Sequence, residues 1–397
     1  MTPEQVAASK AGFAHLFIEA ARRLGVTGNI AFHAEGFRVM HEERPAFPLG
    51  EAWSAWCVAS PERTAAAVEA AVGLWARNTP VPERYEDARS SILPAVRTRY
   101  VVHTRHLLEP LDGPVPRMPS AMMSEHLATI LTYPIEGGLR HVEQPEFDRW
   151  GVTFERALRQ ACLNLADRSR DPWKASPDWP GMYRSPWSDH RDVARMLLPH
   201  VLGSLPLRGE PVAVAPAEDC LLVAGSQDDR GLLSMALFTR RAVERSHSFS
   251  FLRPVRLVRD EWVPWLPDPK SSAWAALHLL ACIEHSTEVQ FENVILARLA
   301  AHNGADVHPA VLEMRTSPAR RDVRTVAVWE AGRPNLLPRA EALEFRRDGT
   351  SLAIVPWAAA EEALAERIPL IEGSYPERRR AEDFPEDWQI AQLPAIT

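Results

Sequence analysis

The sequence predicts an α+β fold of mixed helices and antiparallel sheets in two domains, and three observations carry that expectation. Stretches with apolar residues at helical spacing lie among short alternating runs bounded by turn residues. At 397 residues, 46% hydrophobic and 24% charged, the chain has material for two or more folded domains. There is no internal repeat at periods of about 20 to 50 residues, which argues against solenoids and propellers.

The elements follow in order. A helix is expected near residues 3–24, with Thr2 as cap, Pro3 in the first turn, a stripe of Phe13, Leu16, Phe17, Ala20, Ala21 and Leu24, and Gly25 as stop. Two strands, 30–33 and 37–40, flank the turn Ala34-Glu35-Gly36, and Ser60-Pro61 opens a second helix carrying Val68, Ala71, Val72 and Trp75. A strand is expected over 92–103, another over 128–139, and then a helix capped by Thr153 with Phe154, Ala157, Leu158, Ala161 and Leu165 in line.

Residues 171–187 mix four prolines with Trp173, Trp179, Tyr183 and Trp187, which predicts an ordered loop packed on a domain. A helix capped by Ser188 or Asp189 should then run to about His200, with Arg191 and Arg195 on its exposed face. A hairpin over 212–223, a helix over 232–243, and strands at 255–258 and 262–265 come next. A helix over 272–303 closed by Gly304 is long enough to expect a break near Ser286-Thr287. The strand 323–329 should pair with 342–345 or 352–355, and the end from Tyr375 is Pro-rich and charged. The expected domains are 1–248 and 249–374, with 375–397 as a tail.

Forty-five Lys and Arg stand against 52 Asp and Glu, a net charge of -7, which disfavours nucleic acid as a partner. No signal-peptide pattern opens the sequence, and no apolar run reaches the roughly 18 residues of a membrane span. With four scattered cysteines, Cys57, Cys162, Cys220 and Cys282, the expectation is a cytoplasmic chain away from the membrane.

No phosphate loop of the GxGxxG or GxxxxGK[ST] type and no GxSxG elbow occurs, and Gly225-Ser226 reads as a turn and helix cap. His103 and His106, three apart in the expected strand, would point to opposite faces. His278, Cys282 and His285 on one helix, and His302 with His308, suggest a metal stripe or loop, but the simpler reading is ordinary helix and loop residues. No metal site and no cofactor are assigned. Asp228-Asp229 and Glu361-Glu362 suit helix starts.

The most distinctive run is Trp187-Ser188-Asp189-His190-Arg191-Asp192-Val193-Ala194-Arg195-Met196-Leu197-Leu198-Pro199. Asp189 and His190 within it, together with Asp219, are the catalytic candidates, and Trp187 and Arg195 within it, together with Arg97, the ligand-binding candidates. They would serve if burial in one cleft shifted their pKa values. The alternative is a half-buried ion pair that holds a sheet together.

Leu93-Pro94-Ala95-Val96-Arg97, Trp150-Gly151-Val152-Thr153, Asn164-Leu165, Trp187-Ser188-Asp189 and the segment 211–223, in that order, resemble the YtpQ-like bacterial proteins, the domain of unknown function 1444 family. The resemblance runs over about residues 8–245, with Trp329-Glu330-Ala331-Gly332 and 336–341 similar to the C-terminal part of its longer members. It implies a bacterial cytoplasmic protein and transfers no catalytic residue, cofactor or substrate. Glu218-Asp219 stands where the family pattern has Arg-Asp, so no charge relay through that arginine carries over.

Two functions are expected. The first is a noncatalytic protein-binding component, such as an immunity, adaptor or regulatory protein, since tryptophan and arginine make good interface anchors. The alternative is an enzyme, such as a hydrolase, around Arg97, Asp189, His190 and Asp219. The oligomeric state is open.

Overall fold

The structure is a computed structural model that describes residues 10–34, 37–42, 47–50, 52–53, 56, 64–76, 81–107, 116–135, 138–246, 249–316 and 323–396. The expected caps Thr2 and Ser60, the turn residues Glu35 and Gly36, and Cys57 lie outside the described residues. The fold is α+β, with antiparallel and mixed sheets among helices. Two compact units are present: Met1–Leu93, Leu108–Pro119 and Leu131–Asn164 form one, and Pro94–Leu107, Ser120–Ile130 and Leu165–Thr397 form the other.

In the first unit, α1 (Lys10–Arg23) buries Phe13, Phe17, Ala20 and Ala21 of the expected stripe, whereas Leu16 is half-buried and Leu24, past the end of the helix, is exposed. The hairpin β1 (Ile30–His33) and β2 (Arg38–His41) is antiparallel with Ile30 opposite His41, and β3 (Phe47–Pro48) adds to β2. With α2 (Thr64–Ala76) these close a core around Phe17, Val39, Leu49, Val72 and Trp75. A second core gathers Tyr85 and Ala88 of α3 (Tyr85–Ala88) with Leu131, Phe147, Trp150, Ala157 and Ala161.

The chain crosses between units inside β4 (Leu93–Thr98). The strand expected over 92–103 therefore stops early: α4 (Arg99–Leu107) follows, and positions 103 and 106 sit at helical spacing, not on opposite faces of a strand. Val101 and Val102 favour strands only weakly, and local tertiary context overrides that preference. After β5 (Ala121–Met122), the single strand expected over 128–139 is a hairpin of β6 (Leu127–Ile135) and β7 (Gly138–His141). The sequence reading missed α5 (Gln144–Trp150), which a Glu143/Glu146 capping box starts and Gly151 ends at φ 62°. It anticipated α6 (Phe154–Asp167), where Thr153 Oγ1 accepts the Arg156 N–H at 3.3 Å.

In the second unit the expected loop over 171–187 contains a hairpin, β8 (Lys174–Ser176) and β9 (Trp179–Arg184), at the edge of a six-stranded antiparallel sheet. Three of the loop's four prolines lie outside both strands, and Pro180 falls where the β8–β9 register shifts, a place where a missing N–H is tolerated. The helix expected from Asp189 to His200 is instead a 3-10 turn, Val193–Leu197, followed by α7 (Pro199–Gly203). Pro199 lacks the N–H that a continuous helix would need, so it starts a new one. Arg191 and Arg195 are buried, 4% and 0% exposed, contrary to the exposed face expected for them.

The expected hairpin is β10 (Pro211–Ala217) and β11 (Cys220–Gly225), turning at Glu218-Asp219. Val212, Val214, Leu222 and Ala224 face one core while Ala213, Ala215, Leu221 and Val223 face another, so the sheet is covered on both sides and its strands are continuously apolar. The helix α8 (Asp229–Ser246) packs on one face. The strands β12 (Phe251–Val258) and β13 (Glu261–Pro264) complete the order β13-β12-β10-β11-β9-β8. The expected boundary at 248/249 thus falls within the second unit, between α8 and a strand paired with β10.

One uninterrupted helix, α9 (Trp274–Asn303), ends at Gly304 in the left-handed conformation expected of it. The expected break at Ser286-Thr287 is absent: Ser286 is buried, and the Thr287 hydroxyl donates to Ile283 O at 2.7 Å within the helix. Beyond it, β14 (His308–Pro309), β15 (Leu312–Thr316), β16 (Val323–Glu330), β17 (Asn335–Pro338), β18 (Ala342–Arg347) and β19 (Thr350–Pro356) form two small sheets. β16 pairs in parallel with β18, as the first of the two expected pairings has it, and Val289 of α9 meets their core. The helix α10 (Trp357–Ala363) places Glu361-Glu362 near its end and not at a helix start. In the stretch read as a tail, β20 (Arg378–Ala381) pairs with β17, and α11 (Asp387–Ala391) buries Ile390. Among the described residues no helix is long and apolar enough to cross a membrane.

Candidate functional site

The residues singled out around Asp189 assemble into a closed ion-pair knot. Ser188 and His190 take positive φ, 50° and 58°, and Asp192 stabilises that bend by accepting the N–H groups of Ser188 and Asp189 at 3.2 and 3.1 Å. Asp189 then receives both terminal nitrogens of Arg195, at 2.8 and 2.9 Å. Arg195 also donates to Ser169 Oγ and to Arg168 O, and its guanidinium lies 3.9 Å from the Trp187 ring centroid. Burial pushes the Asp189 carboxyl up, but Arg195 outweighs it and holds the group below its ordinary value.

Arg97 pairs with Glu218 at 3.0 Å and not with Asp219. Arg191 lies within electrostatic reach of Arg97, Asp189 and Glu218, and burial followed by Arg97 lowers its pKa to about 10. The structure therefore gathers Trp187, Asp189 and Arg195, with Arg97 nearby. His190 is exposed, and among the described residues neither its ring nor the Asp219 carboxylate makes a hydrogen bond or ion pair. Four of the five N–H groups of Arg195 are spent on the protein itself, so this cluster fixes a loop.

A different part of the second unit holds a cavity of about 740 Å³. Its walls bring Arg99 from α4, His126 from the turn before β6, Arg253 from β12, His278, Cys282 and His285 from α9, Glu341 beside β18, and Tyr375. Arg253 is the hub. Its side chain is paired with Glu284 at 3.5 Å and with Glu288, and it donates to His126 Nδ1 at 2.8 Å and to the Tyr375 hydroxyl at 3.4 Å. Glu284 in turn accepts the backbone N–H of Arg253 at 2.8 Å.

A guanidinium cannot accept a hydrogen bond, so His126 Nδ1 must present a lone pair. Burial, reinforced by Arg253, lowers the His126 pKa to about 3, and the same causes take His285 to about 4. His285 donates through Nε2 to Arg339 O at 2.7 Å. Both rings are thus neutral near pH 7. Burial pushes Glu288 up, although Arg253 opposes it, while Glu284 and Glu288 together keep Arg253 firmly charged.

Arg99 differs from Arg253. Its guanidinium sits 4.7 Å from the Tyr375 ring centroid and forms no ion pair among the described residues. Also in the lining, His278 Nε2 lies 2.8 Å from Glu341 Oε1, and Cys282 Sγ is 3.7 Å from His278 Nε2 and 3.8 Å from Glu341 Oε2.

Sequence reasoning weighed His278, Cys282 and His285 and set them aside, and it missed Arg99, His126, Arg253, Glu341 and Tyr375. One signal was present. Positions 278, 282, 285, 288 and 292 recur at intervals of three and four, which places five titratable side chains on one face of α9. Comparison with family models, with curated proteins and with solved structures found no match.

Proposed function

We propose that the chain holds a small anionic molecule in the cavity around Arg253, with Arg99 as the residue that receives its charge. The observation that carries this reading is an arginine in a built polar cavity with an aromatic ring, and no carboxylate, as its described partner. A volume of about 740 Å³ suits a metabolite-sized ligand, and the two neutral imidazoles can donate or accept hydrogen bonds without adding charge. The reading is closer to the enzyme alternative than to a noncatalytic adaptor, with the site moved away from Asp189. The bacterial, cytoplasmic setting implied by the YtpQ-like resemblance belongs to the same proposal.

Thermal unfolding in inorganic phosphate and in succinate, each against chloride at matched ionic strength and with a chelator present, tests the reading. Wild type should be stabilised by one of the two anions, by about 2.7 kcal/mol at a hundredfold excess over its Kd. Arg99→Ala should lose that increment. Equal melting of wild type in all three salts would remove the support for an anion site.

A second observation favours the protein-binding reading. Phe291 and Val294, 60% and 61% exposed, stand one turn apart on α9. If they anchor a partner, a complex seen by native mass spectrometry of the protein from its own cytoplasm should be lost in the double variant Phe291→Ser, Val294→Ser.

A further inference from the structure

We infer that His278, Cys282 and Glu341 form a binding site for one divalent transition-metal ion, with zinc as the best match. All three line the cavity, and their ligand atoms lie within 4.8 Å of one another. A tetrahedral zinc with ordinary bond lengths to sulfur, nitrogen and oxygen sets its ligand atoms about 3.5 Å apart for the sulfur pairs and about 3.3 Å apart for nitrogen and oxygen. Cys282 Sγ is 3.7 Å from His278 Nε2 and 3.8 Å from Glu341 Oε2, and His278 Nε2 is 2.8 Å from the other carboxylate oxygen, Oε1, so binding through one oxygen also requires the carboxylate to turn. The short pair is a hydrogen bond in which a proton occupies the direction an ion would take. Loading the ion requires that pair to open by about half an ångström.

The ligands are held before any ion arrives. His278 and Cys282 are one helical turn apart on α9, so they project together from a rigid element. The His278 ring is stacked on Trp274, centroids 4.6 Å apart and planes at 12°, which fixes its orientation. Glu341 comes from the connection into β18, and its carboxylate is anchored by the Thr325 N–H at 2.8 Å. His278 and Cys282 are 7% and 4% exposed, whereas the Glu341 side chain is 44% exposed, so the set is walled on the helix side and open on the carboxylate side.

Thiolate, imidazole and carboxylate together select zinc or a similar borderline ion over magnesium and calcium, which prefer oxygen alone. Three protein ligands and a position left open to the cavity are the arrangement of catalytic zinc; structural sites close all four. An ion there would present its open position to whatever the cavity holds. The site does not depend on the anion reading, because none of its ligands is Arg99 or a partner of Arg99.

Cobalt titration of the full-length, chelator-treated protein tests the site, because a thiolate bound to Co²⁺ gives an intense near-ultraviolet charge-transfer band. Wild type should develop that band to one equivalent, and zinc should abolish it by displacement. Cys282→Ser should lose the band, Cys220→Ser should keep it, and Glu341→Gln, altered at a half-exposed side chain, should keep the fold while weakening zinc at least about tenfold. Absence of the band in wild type, its survival in Cys282→Ser, or unchanged zinc affinity in Glu341→Gln would overturn the assignment. Should Cys282→Ser fail to fold, wild type and Glu341→Gln still decide it. The anion test is run in chelator, so a failed metal site leaves that result standing, and the reverse.

Discussion

His126 is kept uncharged by where its ring is placed, and that has a measurable consequence. Unfolded, it titrates near 6.5; folded, burial and Arg253 bring it to about 3. A depressed pKa means that the unfolded state takes up the proton first, so the contribution is complete above about pH 6.5 and is lost as pH falls towards 3. At pH 5 the loss should be about 2 kcal/mol. Urea unfolding of wild type and His126→Gln at pH 7 and pH 5 checks this: the stability difference between the two should shrink by about that amount at the lower pH, and a constant difference would count against a neutral, buried ring. None of this was legible locally, because Ser124-Glu125-His126 reads as an ordinary turn and its partners Arg253 and Tyr375 lie 127 and 249 residues away. The Asp189–Arg195 knot was closer to legible: both residues are candidates in the sequence, but Arg195 is expected on an exposed face, since a helical reading of 189–200 does not reveal the Trp187 ring above the guanidinium.

At the scale of the element, α9 carries the chemistry of the second unit along one stripe. Its C-terminal member is Glu292, 2% exposed, which receives Arg378 at 2.8 and 2.6 Å from the strand β20. Burial pushes Glu292 up and Arg378 down, so each partner's charge depends on the other. Arg378→Met should therefore cost about 3–5 kcal/mol, and adding Glu292→Leu should restore much of it, since a buried charge without a partner is the main penalty. Denaturant midpoints of the two variants check the pair; equal stability of the single and double variants would mean that the lost packing, and not the bare charge, dominates. The length of α9 and its glycine stop were legible from the sequence. The stripe was present too, yet titratable residues at helical spacing are ordinarily solvated, and only the elements that cover them turn these into a buried network.

On the scale of the whole molecule, the second unit is discontinuous in sequence. Pro94–Leu107 and Ser120–Ile130 bring Val96 and Leu127 to its core and Arg99 and His126 to its cavity. A fragment of residues 165–397 should consequently melt at lower temperature and with less cooperativity than the full chain, and should show no anion-dependent stabilisation; calorimetry of the two side by side would reveal independence if it exists. What the sequence determined by itself was the α+β class, the long helices α1, α2, α6, α8 and α9 with Thr153 and Gly304 at their ends, and the hairpin expected over 212–223, because those depend on periodicity and on turn chemistry within a few residues. The tertiary structure alone decided that the aromatic stretch at 171–187 contains an edge hairpin, that the stretch after Tyr375 supplies a strand and a buried arginine, and that His126, Arg253, His278, Cys282 and Glu341 share one cavity. Such a meeting is set by side chains hundreds of residues apart, whose burial and charge take their meaning from the neighbours that folding brings.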